Sequence, residues 1–311
     1  MLDAIRGLHH VTSIAGDPAA NNRFFTHVLG LRRVKQTVNF DAPEVYHLYY
    51  GDALGRPGTV MTHFPFPGAR PGRDGTGEVS RTLFSVPPGA LDVWRARFAE
   101  RGVETQDETA FGEARLHFRS NDAEDFALVE REDAREPWLG SGGTGEVGPD
   151  AAIRGFHGVS MRLADPGATR ELMRFMGYRE VGREGDATRY AVDGETTGAD
   201  VVEIEEAAAA PAEQGAGSVH HVAFSVADRA AQARVRDELI AQGFAVTPVI
   251  DRDYFWAIYF RTPGGVLFEV ATEEPGFDRD EDREHLGEAL KLPSQHEHLR
   301  EALERQLVPL G

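Results

Sequence analysis

Ser218-Val-His-His-Val-Ala-Phe-Ser-Val226 reads as a β-strand, rich in β-branched and aromatic residues, with two adjacent histidines near its start. A near-copy, Leu8-His-His-Val-Thr-Ser-Ile14, opens the chain. Two further copies lie between them, Val79-Ser-Arg-Thr-Leu-Phe-Ser-Val86 and Phe156-His-Gly-Val-Ser-Met-Arg-Leu163. An internal repeat therefore decides the fold.

Each copy leads into a helical segment stopped by a glycine, where the left-handed cap conformation carries no Cβ penalty. The segments are Pro18 to Val28 before Gly30, Ala90 to Arg101 before Gly102, Pro166 to Met176 before Gly177, and Asp228 to Gln242 before Gly243. Strand-like runs follow every stop, such as Tyr46-His-Leu-Tyr-Tyr50 and Thr59-Val-Met-Thr-His-Phe64. The chain is thus expected to be α+β, with the module βαβββ four times. Residues 1–135 form an N-terminal half of modules one and two, and residues 153–272 a C-terminal half of modules three and four. Between them Glu136 to Ala152, rich in Gly, Pro and acidic residues, reads as a linker. Ala207 to Gly217 reads as a second flexible joint. Residues 273–311 form a charged tail, with surface-helix periodicity from Glu297 to Leu307.

Composition narrows the chemistry. With 311 residues the chain suits two domains or one large one. It has no apolar run of membrane-spanning length and no signal pattern at Met1-Leu-Asp-Ala-Ile-Arg6, so a soluble, cytoplasmic protein is expected. There are no cysteines, so any metal must be held by histidine and carboxylate. A formal net charge of −18 argues against nucleic acid or an anionic membrane as partner. A homo-oligomer is compatible with the chain, but nothing in the sequence fixes the number of copies.

Side chains alternate across a strand, so faces can be read directly. In module four, His220 falls with Val222, Phe224 and Val226, which are expected to pack under the helix. His221 falls with the small residues Ala223 and Ser225, which leave room for a ligand. In the closing strand Gly264-Gly-Val-Leu-Phe-Glu-Val-Ala-Thr272, Glu269 lies opposite the apolar face of Val266, Phe268 and Val270. A carboxylate in so apolar a strand is costly unless paired or metal-bound. His10 corresponds to His221. Arg81 and Gly158 stand at that position in modules two and three, and Thr62 and Val129 stand at the Glu269 position in modules one and two. Glu203 falls near that position in module three, without a partner histidine, and is assigned a non-metal role. His10, His221 and Glu269 are the expected metal ligands, so modules one and four must pair around the site. Two histidines and one carboxylate are the facial triad suited to Fe(II), and Mn(II) also fits.

At these residues the sequence resembles the vicinal oxygen chelate superfamily, which includes glyoxalases and extradiol dioxygenases, and more closely the ring-cleaving dioxygenases that open para-hydroquinones. The resemblance is carried by Gly7-Leu-His-His-Val-Thr12, Thr37-Val-Asn-Phe40, His47-Leu-Tyr-Tyr50, Gly155-Phe-His-Gly-Val159, Val219-His-His-Val-Ala-Phe224 and Gly265-Val-Leu-Phe-Glu-Val-Ala271. It implies that the modules pair into two open β-barrels and that Fe(II) sits on His10, His221 and Glu269. It also implies that His9 and His220 lie near the substrate hydroxyls, and that Arg252 and Tyr259 complete the catalytic set. The implied substrates are a small aromatic, bound through a phenolic oxygen, and O2. Two other functions compete. A glyoxalase-like lyase or isomerase commonly has a second carboxylate where Thr62 stands, and an aromatic-compound binding protein needs no triad.

Other signals are discounted. Asp278-Arg-Asp-Glu-Asp282 begins like a calcium loop, but Arg283 occupies the position of the required glycine, so a solvated helix start is expected. The glycine-rich loop Gly68 to Gly77 lacks a phosphate-binding signature and is expected to cover one edge of the site. His27, His117 and His157 are assigned structural roles.

Overall fold

The computed structural model describes residues 2–137 and 147–310. Module one runs β1 (Leu8–Ala15), α1 (Pro18–Arg23), a π-helical turn (Phe24–Val28), β2 (Arg32–Val38), β3 (Tyr46–Gly51) and β4 (Val60–Pro65). Module two runs β5 (Glu78–Val86), α2 (Leu91–Glu100), β6 (Thr105–Ala110), β7 (Glu113–Arg119) and β8 (Asp125–Glu130). Module three runs β9 (Gly155–Leu163), α3 (Gly167–Phe175), β10 (Arg179–Glu184), β11 (Ala187–Ala191) and β12 (Val201–Glu206). Module four runs β13 (Val219–Val226), α4 (Arg229–Ala241), β14 (Ile250–Asp251), β15 (Phe255–Arg261) and β16 (Leu267–Pro275). The closing strand therefore continues to Pro275, three residues past the expected end. A short helix, α5 (Arg300–Gln306), follows in the tail.

The sixteen strands form two eight-stranded sheets. One has the order β14-β15-β16-β13-β1-β4-β3-β2, the other β10-β11-β12-β9-β5-β8-β7-β6. Modules one and four thus share a sheet through the antiparallel pair β1–β13, and modules two and three through β5–β9. Alternation explains the layering. One face of each central strand, such as Val222, Phe224 and Val226 on β13, joins a continuous core with Val235 and Leu239 of α4 and with Phe84 and Phe156 of the other sheet. The opposite faces line the two half-barrels and carry the polar residues.

The joint expected at 207–217 is instead a paired strap. Pro71, Arg73 and Thr76 bridge to Ala216, Glu213 and Pro211, so the loop 68–77 and this segment run together along the backbone. Backbone hydrogen bonds, invisible to composition, account for the difference. Of the expected linker, residues 138–146 lie outside the described residues. Its end is packed, with Val147, Ala151 and Ala152 buried and the Trp94 indole donating to the Ala151 carbonyl at 2.7 Å.

The acidic run at 278–282 is not simply solvated. Asp280 (2.6 Å) and Glu281 both pair with the ammonium of Lys35, which is fully buried. A buried ammonium demands counter-charges, and the tail supplies them. The tail continues along module one, where Lys291 N–H donates to the Gln36 carbonyl and Tyr46 donates to the Val308 carbonyl. Leu303 of α5 is buried, as its periodicity required.

Candidate metal centre

Ala223 organises the site. It is the Cα partner of His10 on one side and of Glu269 on the other, and its methyl leaves a gap between them. His221, two residues away on the same face, enters that gap. His10 Nε2 lies 3.5 Å from Glu269 Oε2 and 3.3 Å from His221 Nε2, and His221 Nε2 lies 2.9 Å from Glu269 Oε2. All three residues are buried and form a group able to hold a metal ion. Glu269 is completely buried, and neither of its oxygens accepts a well-aligned hydrogen bond, the imidazoles of His10 and His221 being its close neighbours. An ionised carboxylate in that condition, facing two imidazole nitrogens, fits a cation and little else.

Strict alternation misplaced His220. Between Leu8 and His10 strand β1 carries one residue more than its partner, and between Val219 and His221 strand β13 does the same. Each is a β-bulge, which leaves its extra residue unpaired and re-aims the side chain. The extra residues are His9 and His220. His220 consequently leaves the helix face and lines the site cavity, with its Nδ1 2.8 Å from Nδ1 of His221. His9 Nδ1 stands 2.9 Å from Nδ1 of His10, and its Nε2 stands 3.1 Å from the Thr272 carbonyl.

These contacts set the tautomers. The Thr272 carbonyl can only accept, so His9 carries its hydrogen on Nε2. Burial first, and then the neighbouring His10, hold His9 neutral by lowering its pKa to about 3. Its bare Nδ1 must then accept from His10 Nδ1–H, which leaves the Nε2 lone pair of His10 aimed at the gap. His221 stands in the same relation to His220, whose pKa is lowered to about 4 by burial and then by His221. If the Nε2 lone pair of His221 faces the gap as that of His10 does, its Nδ1–H donates to His220, and neutral His220 turns an Nε2–H towards the cavity.

On the other side of Glu269, Tyr259 is its direct register partner and its ring packs edge-on to His221. Burial, reinforced by Glu269, raises the Tyr259 phenol well above 10. Arg252 Nε donates to the Tyr259 hydroxyl at 3.2 Å, and its guanidinium covers the rings of Phe40 and Tyr259. Asp41 is 3.9 Å away and mostly exposed, so the surface ion pair is the lesser contact.

The structure therefore gathers His10, His221, Glu269, His220, Tyr259 and Arg252 along one cavity of about 550 Å³, with His9 immediately behind His10. The sequence reading missed the other walls. Phe64 and Phe255 supply aromatic surface, and His47 and Tyr49 supply polar atoms. Alternation within Tyr46-His-Leu-Tyr-Tyr50 already put His47 and Tyr49 on one face, which was the signal available. Of the loop 68–77, Thr76 and Gly77 line an adjoining cavity that shares His220, His221, Gln214 and Leu267 with this one, so the loop covers one edge of the site.

The second half-barrel shows what the same geometry becomes without a metal. Its central pair carries bulges at Ser80 and His157, matching His220 and His9. Arg81 replaces His221 and Gly158 replaces His10. Register makes Thr62 and Glu203 the counterparts of Glu269 and corrects the module-two counterpart from Val129 to Ala127. Glu203 is held by Arg115 at 2.6 Å and Arg189 at 2.7 Å, the non-metal role expected of it. His157 packs against Glu113 and Arg131, and His117 against Asp125.

This fold and this site define a class. The chain belongs to the Glyoxalase/Bleomycin resistance protein/Dioxygenase superfamily, whose family model matches residues 7–270. Within it the chain falls with the ring-cleaving dioxygenases. It is 42% identical over 305 residues to the Bacillus subtilis protein named Putative ring-cleaving dioxygenase MhqO, covering 97% of this chain and 96% of that one. It is 35% identical to the chlorohydroquinone/hydroquinone 1,2-dioxygenase of Sphingobium indicum, covering 98% and 97% respectively. The crystal structure of a putative dioxygenase from Bacillus subtilis, 42% identical, superposes with a TM-score of 0.94 over 99% of this chain and 98% of that one.

Proposed function

We propose that this protein is an Fe(II)-dependent dioxygenase that opens the ring of hydroquinone-type aromatics with O2, working in the cytoplasm. The observation that carries this is the completely buried Glu269 carboxylate converging with His10 and His221 at the wall of an aromatic-lined cavity. His10, His221 and Glu269 would hold the metal, and Mn(II) fits the same donors. When bound, the metal supplies a Lewis acid for a phenolic oxygen and the electron exchange that O2 requires.

The chain's own groups do the rest. His9, tied to the Thr272 carbonyl, fixes the donor atom of His10. His220 would present an N–H to a substrate oxygen in the cavity beside His221. Tyr259, with its hydroxyl bonded to Arg252, stays protonated and can give a proton to the opening ring. The guanidinium beside it stabilises negative charge developing there. Thr62, where a lyase would place a further carboxylate, is committed to Thr12 and His47 at 2.9 Å each, which favours the dioxygenase.

The test is anaerobic reconstitution with Fe(II), addition of hydroquinone, then O2, with oxygen uptake and ring-opened product followed together. Uptake matched one-to-one by product is expected. No uptake over a panel of hydroquinones and catechols would sink the reading.

A further inference from the structure

The metal-ligating residues stand on the central strands β1, β13 and β16, and the sheet continues outward to β15 on one flank and through β4 to β3 on the other. Each flank delivers one tyrosine into the cavity, Tyr259 from β15 and Tyr49 from β3. The steps above use only the first.

The second is supported as carefully. Tyr49 and His47 are both buried on the inward face of β3, with ring centroids 4.0 Å apart. The Tyr49 hydroxyl lies 2.8 Å from His47 Nδ1, and His47 Nε2 lies 2.9 Å from the Thr62 hydroxyl. Thr62 in turn meets Thr12 at 2.9 Å, across the β4–β1 register. Both nitrogens of His47 are occupied, so the imidazole cannot turn. The Tyr49 hydroxyl has one donor and two lone pairs, and this row uses only one of them. Every member of the row can give or accept a hydrogen, so Tyr49 can accept from a neutral hydroxyl or donate to an oxyanion. A rigid polar atom beside rings such as Phe64 and Phe255 is what orients a flat aromatic ligand.

We infer that Tyr49, positioned by His47, holds the substrate's second oxygen, the one not bound at the metal, and thereby selects para-dihydroxy rings. This rests on the hydroquinone reading above. A para hydroxyl lies at the opposite end of the ring from the ligated oxygen, whereas an ortho hydroxyl lies beside it.

The test is calorimetric titration of the anaerobic Fe(II)-loaded protein with hydroquinone, catechol and phenol. Tyr49→Phe keeps the ring and should lose about fivefold to tenfold in hydroquinone affinity, the worth of one neutral hydrogen bond, with phenol and catechol within about twofold of wild type. Thr62→Val, one link further back, should show a smaller loss in the same direction, and it decides the matter if Tyr49→Phe no longer holds iron stoichiometrically. An unchanged hydroquinone-to-phenol ratio, or equal losses for all three ligands, would overturn the inference and leave the dioxygenase reading standing. A wild-type protein that holds iron but binds none of the three would instead remove that reading.

Discussion

Glu269 brings a fully buried carboxylate against the imidazoles of His10 and His221, so metal bound there should be coupled to stability. Adding Fe(II) should raise the melting temperature of the wild-type apoprotein by several degrees and leave Glu269→Gln unmoved, with iron stoichiometry falling from about one to near zero by metal analysis. A second residue-scale expectation concerns His157 in the metal-free barrel. Burial lowers its pKa, against the pull of Glu113. The unfolded chain therefore binds the proton first, and stability is present above pH ~6.5 and lost as pH falls below it. His157→Asn should flatten that decline, measured as urea midpoints between pH 7 and pH 5.

At the scale of elements, the paired bulges on β1 and β13 turn two neighbouring histidines on each strand to useful positions, which unbroken alternation cannot do. The second sheet keeps the bulges and replaces the metal by charge pairing. There Glu203 and Glu113 together pair with two arginines, Arg115 and Arg189, both nearly fully buried. Glu203→Ala should cost about 3 kcal/mol by denaturant unfolding, because it leaves two buried guanidinium groups with only Glu113 as a close counter-charge, while iron binding in the other sheet is retained. The four βαβββ modules, their helices and their glycine stops were legible in the sequence, since each rests on local periodicity and capping. The bulges were not, because a bulge is a relation between two strands and appears only when both are paired.

Across the whole molecule, residues distant in sequence complete one another. The tail runs back over module one and supplies Asp280 and Glu281 to Lys35. Lys35→Met should leave Glu281 buried without its partner. About 3 kcal/mol of destabilisation is expected, together with faster proteolysis at the tail than in the half-barrels, followed by mass spectrometry. The sequence by itself determined the four βαβββ modules and singled out His10, His221 and Glu269, because a repeat compares each position with three counterparts. The tertiary structure alone decided how a bulge turns His220 to the cavity, that a strap replaces a loose joint, that the acidic tail is an ion-pair partner, and that His47 and Tyr49 furnish a second polar flank. Each of these depends on strand register or on contacts between segments far apart in the chain, and neither composition nor local spacing encodes them.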